Sequence, residues 1–137
     1  MLKTIIVGVT LGLLAMTGSA LAQQSPAPAA PASNIKRTPL QKFDVPGANY
    51  ETVIGMAEIV PNVNIGSHTH PGVESGYMLE GEIVLMVAGQ PDRTIKPGES
   101  WQIPAGAVHD AKTGPSGAKL IATYVVEKGK PLATPAP

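Results

Sequence analysis

The chain has 137 residues, ten basic and ten acidic side chains, a formal net charge of zero, and no cysteine. This length favours a single domain, and the absence of a basic run makes nucleic acid and anionic lipid poor candidates as partners. Without cysteine the chain has no disulfides, no thiolate metal ligands and no lipidated-cysteine anchor. A folded unit must therefore be stabilised by its own core, a partner subunit or a bound ligand.

Residues 1–22 have the order of a secretory signal peptide. Lys3 precedes an apolar run over residues 5–16, and small residues follow, ending in Ala20-Leu21-Ala22. A retained membrane anchor is the alternative, but the run is short for a span of roughly 20 residues and contains glycine and threonine. Cleavage after Ala22 is predicted, which leaves an exported protein, periplasmic or secreted, with no membrane partner.

Two segments lack the apolar side chains that a core requires. Residues 23–34 consist mostly of Ala, Pro, Gln and Ser, and residues 131–137 read PLATPAP. Such composition is typical of disordered segments. The sequence therefore predicts a disordered linker over 23–34, one folded unit over 35–130 and a disordered tail over 131–137.

The folded unit has an all-β pattern. Short apolar stretches rich in β-branched residues are broken by Gly and Pro, and none has a 3.6-residue period. Roughly seven or more strands, about ten residues apart, predict a sandwich or small barrel. Hairpin turns are predicted at Glu80-Gly81-Glu82, at 88–91 and at 96–98.

The three histidines of the chain can converge on one point. His68 and His70 are two residues apart, so on a strand their side chains point to the same face. Pro71-Gly72 supplies a turn that would bring Glu74 toward them. His109 follows a Pro- and Gly-containing turn some forty residues later, and a barrel can place its strand beside the first pair.

Three imidazole nitrogens and one carboxylate oxygen suit a first-row divalent ion better than Ca²⁺ or Mg²⁺. Four such ligands on an octahedral ion leave two adjacent positions for water, substrate or dioxygen. The alternative is structural, with the first two histidines in a solvated turn and the third in the core. The residue types alone leave both interpretations open.

The spacing of these residues resembles the cupin family. The stretch HTHPGVESGYMLEG, from His68 to Gly81, is similar to the first cupin motif, HxHx(3,4)Ex6G. The stretch from Gly98 to His109, GESWQIPAGAVH, is similar to the second motif, Gx5PxGx2H. With flanking strands the resemblance covers residues 40–127, nearly all of the predicted folded unit.

The resemblance implies a double-stranded β-helix, which is a jelly-roll barrel, with a metal ion near its mouth. Two positions depart from the motifs: Asn62 replaces an opening glycine, and Thr113 replaces a final asparagine. Asparagine tolerates a positive φ, and the second position supports a turn, so the metal prediction stands. Carried over position by position, the ligands are His68, His70, Glu74 and His109.

Other residues are candidates for the wall of the pocket, although a core or surface position explains each of them as well. Met78 shares the strand parity of Glu74, Trp101 is the only tryptophan, and Tyr124 could supply a proton or a hydrogen bond. Glu74 itself could act as a general base after loosening from the ion.

The implied function is a metal-dependent, dioxygenase-like oxidoreductase that acts on a small organic molecule. Cupin isomerases and lyases, and a non-catalytic module that binds a metal or small ligand for storage, sensing or scavenging, remain alternatives. The expected cofactor is one divalent ion per chain, drawn from Mn, Fe, Co, Ni, Cu and Zn. A homodimer formed through the outer face of a sheet is also expected.

Overall fold

A computed structural model describes residues 33–137, and within that range the chain forms β-strands, turns and loops without a helix. The predicted signal peptide over 1–22 and nearly all of the predicted linker over 23–34 lie outside the described residues. The all-β prediction is confirmed. The strands are β1 (Ile35–Asp44), β2 (Tyr50–Ile59), β3 (His68–Thr69), β4 (Gly72–Val87), β5 (Arg93–Ile95), β6 (Ser100–Ile103), β7 (His109–Glu127) and β8 (Thr134–Pro135).

A curled antiparallel ribbon of β4 and β7 forms the centre of the fold. These strands, of 16 and 19 residues, pair with each other along almost their whole lengths. The second half of β7 also pairs with β2, which in turn pairs with β1. The first residue of β7, His109, instead pairs with β3. The chain thus curls into the half-barrel expected of a jelly roll.

Gly81 marks a bend within β4 rather than the hairpin turn predicted from Glu80-Gly81-Glu82. The register with β7 shifts on both sides of this glycine, so the strand continues through two irregularities. Gly81 has φ 71°, and a Cβ atom there would collide with the carbonyl oxygen of Gly117 on β7. The glycine therefore permits two backbones to approach closely, which bends the ribbon without reversing it.

The hydrophobic core lies on the concave side of the ribbon. Along residues 72–78 of β4, buried and exposed side chains alternate with the two-residue period of a strand. The buried set packs against β6 and against the inward side chains of β7. The central members of the whole core are Ile59, Met78, Ile83, Leu85, Ile95, Trp101, Ile103, Leu120 and Ala122.

The two residues that depart from the cupin motifs support the loop that leads to β3. Asn62 has φ 58°, the left-handed conformation that asparagine tolerates. The buried Thr113 hydroxyl accepts a hydrogen bond from the Val63 amide at 2.9 Å and donates one to the Val60 carbonyl at 2.9 Å. Thr113 thus holds both sides of the turn that contains Asn62.

Residues 131–137 differ from the disordered tail that their composition predicts. Strand β8 pairs with β3, placing Pro135 opposite His68, and the Ala136 amide donates to the Ser67 carbonyl at 3.0 Å. Main-chain bonds need no apolar side chains, and an edge strand accommodates proline. Composition therefore gives no sign of this pairing. We call residues 131–137 the closing segment. Within residues 33–137, no helix has the length and apolar character needed to cross a membrane.

Candidate metal centre

The three histidines converge at one end of the concave face. His68 on β3 and His109 on β7 are directly paired across the sheet, so their side chains share a face. His70 follows β3 immediately. The ring centroids of His68 and His109 are 4.2 Å apart. The centroid of His70 lies 4.9 Å from that of His68 and 5.1 Å from that of His109. One ligating nitrogen from each ring lies within 4.8 Å of the others.

Backbone carbonyls fix the orientation of all three rings through their Nδ1 atoms. His68 Nδ1 lies 2.7 Å from the Gly66 oxygen, and His109 Nδ1 lies 2.9 Å from the Ala107 oxygen. His70 Nδ1 lies 2.6 Å from the oxygen of Leu132, in the closing segment. Because a carbonyl only accepts, each Nδ1 must carry the proton. Each neutral ring therefore keeps an Nε2 lone pair, and such second hydrogen bonds typically orient metal-ligating histidines.

Glu74 completes the cluster. Its Oε2 atom is 2.9 Å from His70 Nε2 and 3.3 Å from His109 Nε2. These three atoms are buried and have no satisfactory hydrogen-bond partner. Lone pairs and a carboxylate oxygen at this range repel one another unless a positive charge lies among them. Either extra protons on the imidazoles or a cation supplies that charge.

The donor set and its spacing fit a transition-metal ion. Ligands about 2.1 Å from one ion are about 3.0 Å apart at a right angle and about 3.4 Å apart at the tetrahedral angle. The two separations between Glu74 and the histidines, 2.9 and 3.3 Å, fall in this range. Three imidazoles with one carboxylate suit first-row divalent ions. His68, His70, His109 and Glu74 would hold such an ion.

The pKa values of these groups depend on their burial and on the contacts between them. Burial works to raise the pKa of Glu74, but the adjacent imidazoles of His109 and His70 outweigh it and lower the pKa to about 2. Burial works to lower the pKa of His109, yet Glu74 raises it above its usual value. Burial lowers the pKa of His68. The carboxylate is therefore anionic at neutral pH, as a ligand must be.

Trp101 supports the second oxygen of the carboxylate. Its indole nitrogen donates to Glu74 Oε1 at 3.3 Å, while Oε2 faces the histidines. Strand β6 brings the tryptophan there because it pairs with β4, with Trp101 opposite Gly76. The indole lies directly over that glycine, where a Cβ atom would collide with the ring. Gly76 therefore provides the space that the tryptophan needs to reach Glu74.

A small cavity of about 70 Å³ lies next to the cluster. His68, Glu74, His109 and Trp101 line it together with Tyr124, and its remaining wall is largely aliphatic. Tyr124 is the cross-strand partner of Glu74, and its ring centroid is 4.8 Å from that of His70. Burial, assisted by the charge of Glu74, raises the pKa of Tyr124.

Met78 lies apart from this cavity. It is completely buried in the hydrophobic core, and the cavity wall does not include it. Along the inward side of β4 the order is Glu74, Gly76, Met78, and the Trp101 indole covers the middle position. The methionine therefore packs beyond the tryptophan rather than against the ligands.

Two further residues of the site carry no signal in the sequence. Leu132 acts through its backbone oxygen, and no side-chain pattern can indicate that contact. Arg37 on β1 lines the cavity, but it precedes both motifs by many residues. Only the pairing of Arg37 with the inward-facing Ala57 reveals which face it occupies.

The sequence comparison decides the family. Residues 55–130 match the cupin domain family, which is more than half of the chain. The chain belongs to the cupin domain family. No curated protein matches the sequence of this cupin.

Solved structures with the same fold include several cupins. An RmlC-like cupin from Shewanella frigidimarina is 24% identical with a TM-score of 0.59, over 73% of this chain and 83% of that one. The polyketide cyclase RemF from Streptomyces resistomycificus is 28% identical with a TM-score of 0.57, over 71% and 68% of the two chains. The DMSP lyase DddQ from Ruegeria pomeroyi is 17% identical with a TM-score of 0.63, over 75% of this chain. This cupin spans only about half, 52%, of that lyase.

Proposed function

We propose that this cupin is a metal-dependent enzyme that acts on a small organic molecule, with dioxygenase-like oxidoreduction as its reaction class. One observation carries the metal part of the proposal. Backbone carbonyls accept hydrogen bonds from the Nδ1 atoms of three imidazoles. Each ring is therefore left with an Nε2 lone pair, and the three rings converge beside an anionic carboxylate. Four protein ligands leave coordination positions on a six-coordinate ion for substrate and dioxygen.

Each residue of the site has a specific task. A redox-active divalent ion would supply Lewis-acid and dioxygen chemistry when bound. Glu74 would be a ligand, its Oε1 accepts a hydrogen bond from Trp101, and its carboxylate is the candidate proton acceptor in the cavity wall. Tyr124 keeps its proton at neutral pH and can donate it to a substrate oxygen. The aliphatic wall of the cavity limits water near the reacting groups.

Elemental analysis of untagged protein tests the metal site. The wild type is expected to retain about one transition-metal ion per chain, and His109→Ala should lose most of it because one nitrogen ligand is removed. Gln102→Ala, at an exposed position of β6, is the control and should retain the ion. Equal, substoichiometric metal in the wild type and His109→Ala would contradict the site.

Oxygen consumption tests the reaction class. Protein loaded separately with Fe(II), Mn(II) or Ni(II) is mixed with catechols, flavonols or small thiols in an oxygen-electrode cell. Uptake that His109→Ala abolishes supports the oxygenase. Metal-loaded wild type that consumes no oxygen with any substrate contradicts it.

A lyase, cyclase or isomerase is the second candidate, and the position of Tyr124 favours it. Its ring packs against His70, its hydroxyl keeps its proton, and its cross-strand partner is Glu74, so an acid and a base are neighbours in the wall of one cavity. Among the similar structures, RemF is a polyketide cyclase. Anaerobic conversion of a substrate that Tyr124→Phe abolishes, with the metal content unchanged, would identify this class. A metal-loaded protein that binds ligands without converting any would be the non-catalytic module.

We also propose that the protein is exported to the periplasm or secreted, because residues 1–22 have signal-peptide order. N-terminal sequencing of protein recovered from the extracytoplasmic fraction should begin at Gln23. Recovery of the full-length chain from the cytoplasmic or membrane fraction alone would contradict export.

A further inference from the structure

Arg37, on the edge strand β1, lies on the concave side of the sheet, although its side chain is exposed to solvent. It pairs with Ala57 of β2, and Ala57 pairs with the buried Leu120 of β7. Cross-strand partners share a face, so the guanidinium belongs to the concave side. The neighbouring Lys36 takes the opposite face, where its ammonium lies 2.9 Å from Glu58.

Arg37 and Tyr124 border three spaces at once. One is the 70 Å³ cavity beside the candidate ligands. The second is an outer vestibule of about 380 Å³, next to His68, His70 and the closing segment. The third is a largely apolar groove of about 190 Å³ between β1 and β2. The two side chains thus stand where a molecule would pass from solvent to the ligands.

The charge of Arg37 has no counterion in this region. Among residues 33–137, no carboxylate lies within ion-pair distance of its guanidinium. Glu74 is the one acidic residue in the walls of these spaces; it borders only the inner cavity, and its Oε2 faces His70 and His109. An exposed arginine that borders largely aliphatic spaces and has no acidic partner is free to bind an external anion, and its planar fork matches a carboxylate.

We propose that Arg37, with the Tyr124 hydroxyl as a second donor, forms a carboxylate-binding subsite, and that the substrates are small organic acids. This inference rests on the proposed metal site, because the opposite end of the molecule is taken to reach the ligands. The Arg37 guanidinium and the Tyr124 hydroxyl suit a substrate with a single carboxylate. The aliphatic walls suit a short carbon chain. An inward charge on an edge strand also discourages pairing of that edge with another chain. If Arg37 had only this role, the protein would not bind an acid more tightly than its amide.

Binding of ω-mercapto acids to the Co(II)-loaded protein tests the subsite. The probes are mercaptoacetate, 3-mercaptopropionate and 4-mercaptobutyrate, each compared with its uncharged amide. Binding of the thiolate to Co(II) changes the absorption spectrum of the ion. The three chain lengths allow for different distances between the ion and the Arg37 guanidinium. The variants are Arg37→Gln, Arg37→Lys and, as a control with the same charge change on the opposite face, Lys36→Gln.

The wild type should bind at least one acid about tenfold more tightly than its amide, which is the range of a charge-assisted hydrogen-bonded pair. Arg37→Gln should abolish this preference while amide binding and Co(II) content stay unchanged. Arg37→Lys should retain part of the preference, and Lys36→Gln all of it. Tyr124→Phe should reduce it by a smaller factor.

The opposite outcomes separate two failures. If acids and amides bind alike in the wild type, or if Arg37→Gln leaves an acid preference intact, the subsite is wrong although the metal site stands. If neither probe changes the Co(II) spectrum, the open metal site fails, and the inference built on it fails too.

Discussion

At the scale of single residues, the candidate ligands were predictable and their supports were not. His68, His70, Glu74 and His109 follow from strand parity and motif spacing, because both properties are local in the chain. Trp101 and Arg37 depend on which residues lie opposite them, Gly76 on β4 and Ala57 on β2. In the sequence, Trp101 is an isolated aromatic residue and Arg37 an isolated basic residue, with no motif around either. Only the register shows that one reaches Glu74 and the other reaches the cavity.

Replacing Trp101 by phenylalanine should weaken metal binding without unfolding the protein. The ring that covers Gly76 is largely preserved, but Glu74 Oε1 loses its donor. A carboxylate ligand without this support should bind Co(II) or Zn(II) about 10-fold more weakly, as is usual when a ligand loses its hydrogen-bond partner. Competition with a chromophoric chelator measures the change.

Met78→Leu is the matched control. It conserves volume at the next inward position of β4, in the core and away from the cavity. Metal affinity should stay within about twofold of the wild type. A loss as large as that of Trp101→Phe would mean that general core packing, and not the indole donor, sets the affinity.

At the scale of elements, local turn and composition signals gave two wrong expectations. Glu80-Gly81-Glu82 resembles a hairpin turn, yet β4 continues through Gly81 because β7 supports both sides of the bend. The closing segment has the composition of a disordered tail, yet it pairs with β3. Both outcomes depend on partners distant in sequence, which local patterns do not report. The overall β content, in contrast, depends on alternation that is visible in the chain itself.

Removing residues 131–137 should lower metal affinity about 10- to 100-fold. The deletion takes away the Leu132 carbonyl that accepts from His70 Nδ1, and it exposes the edge of β3. His68 and His109 keep their own carbonyl partners, so the site should weaken rather than vanish. Chelator competition again provides the measurement.

Leu132→Ala separates the backbone contribution from that of the side chain. This variant keeps the carbonyl while it removes the apolar side chain from the vestibule wall. Its metal affinity should match that of the wild type. An affinity as low as that of the deletion would show that the side chain, and not the hydrogen bond to His70, supports the site.

At the scale of the whole molecule, the convex face of the sheet has an uncharged strip that would suit contact with a second copy. Exposed Val73 and Tyr77 on β4 lie beside Val125 and Ile121 on β7, and Thr52 follows on β2. A two-fold dimer brings identical surfaces together, so a strip without charges avoids like-charge repulsion. The same fold thus leaves the candidate metal centre on one face and this uncharged strip on the other.

We expect the protein to be a homodimer at micromolar concentration, and Tyr77→Glu to convert it to a monomer, because the change buries a carboxylate at the contact. Size-exclusion chromatography with light scattering gives the mass. Val60→Glu places the same charge at an exposed apolar position outside this strip and should remain dimeric. A wild-type mass of one chain would overturn the expectation.

The bond between His70 and Leu132 has a consequence for the order of events during biosynthesis. The two residues are 62 positions apart, and Leu132 follows every other residue of the centre along the chain. Until residue 132 has emerged and β8 has docked, the His70 ring lacks the acceptor that orients it. A nascent chain would therefore exchange any captured ion readily, and lasting retention would begin only once the closing segment is in place. The metal that the mature protein carries would then reflect the compartment where folding ends, not the one where translation begins.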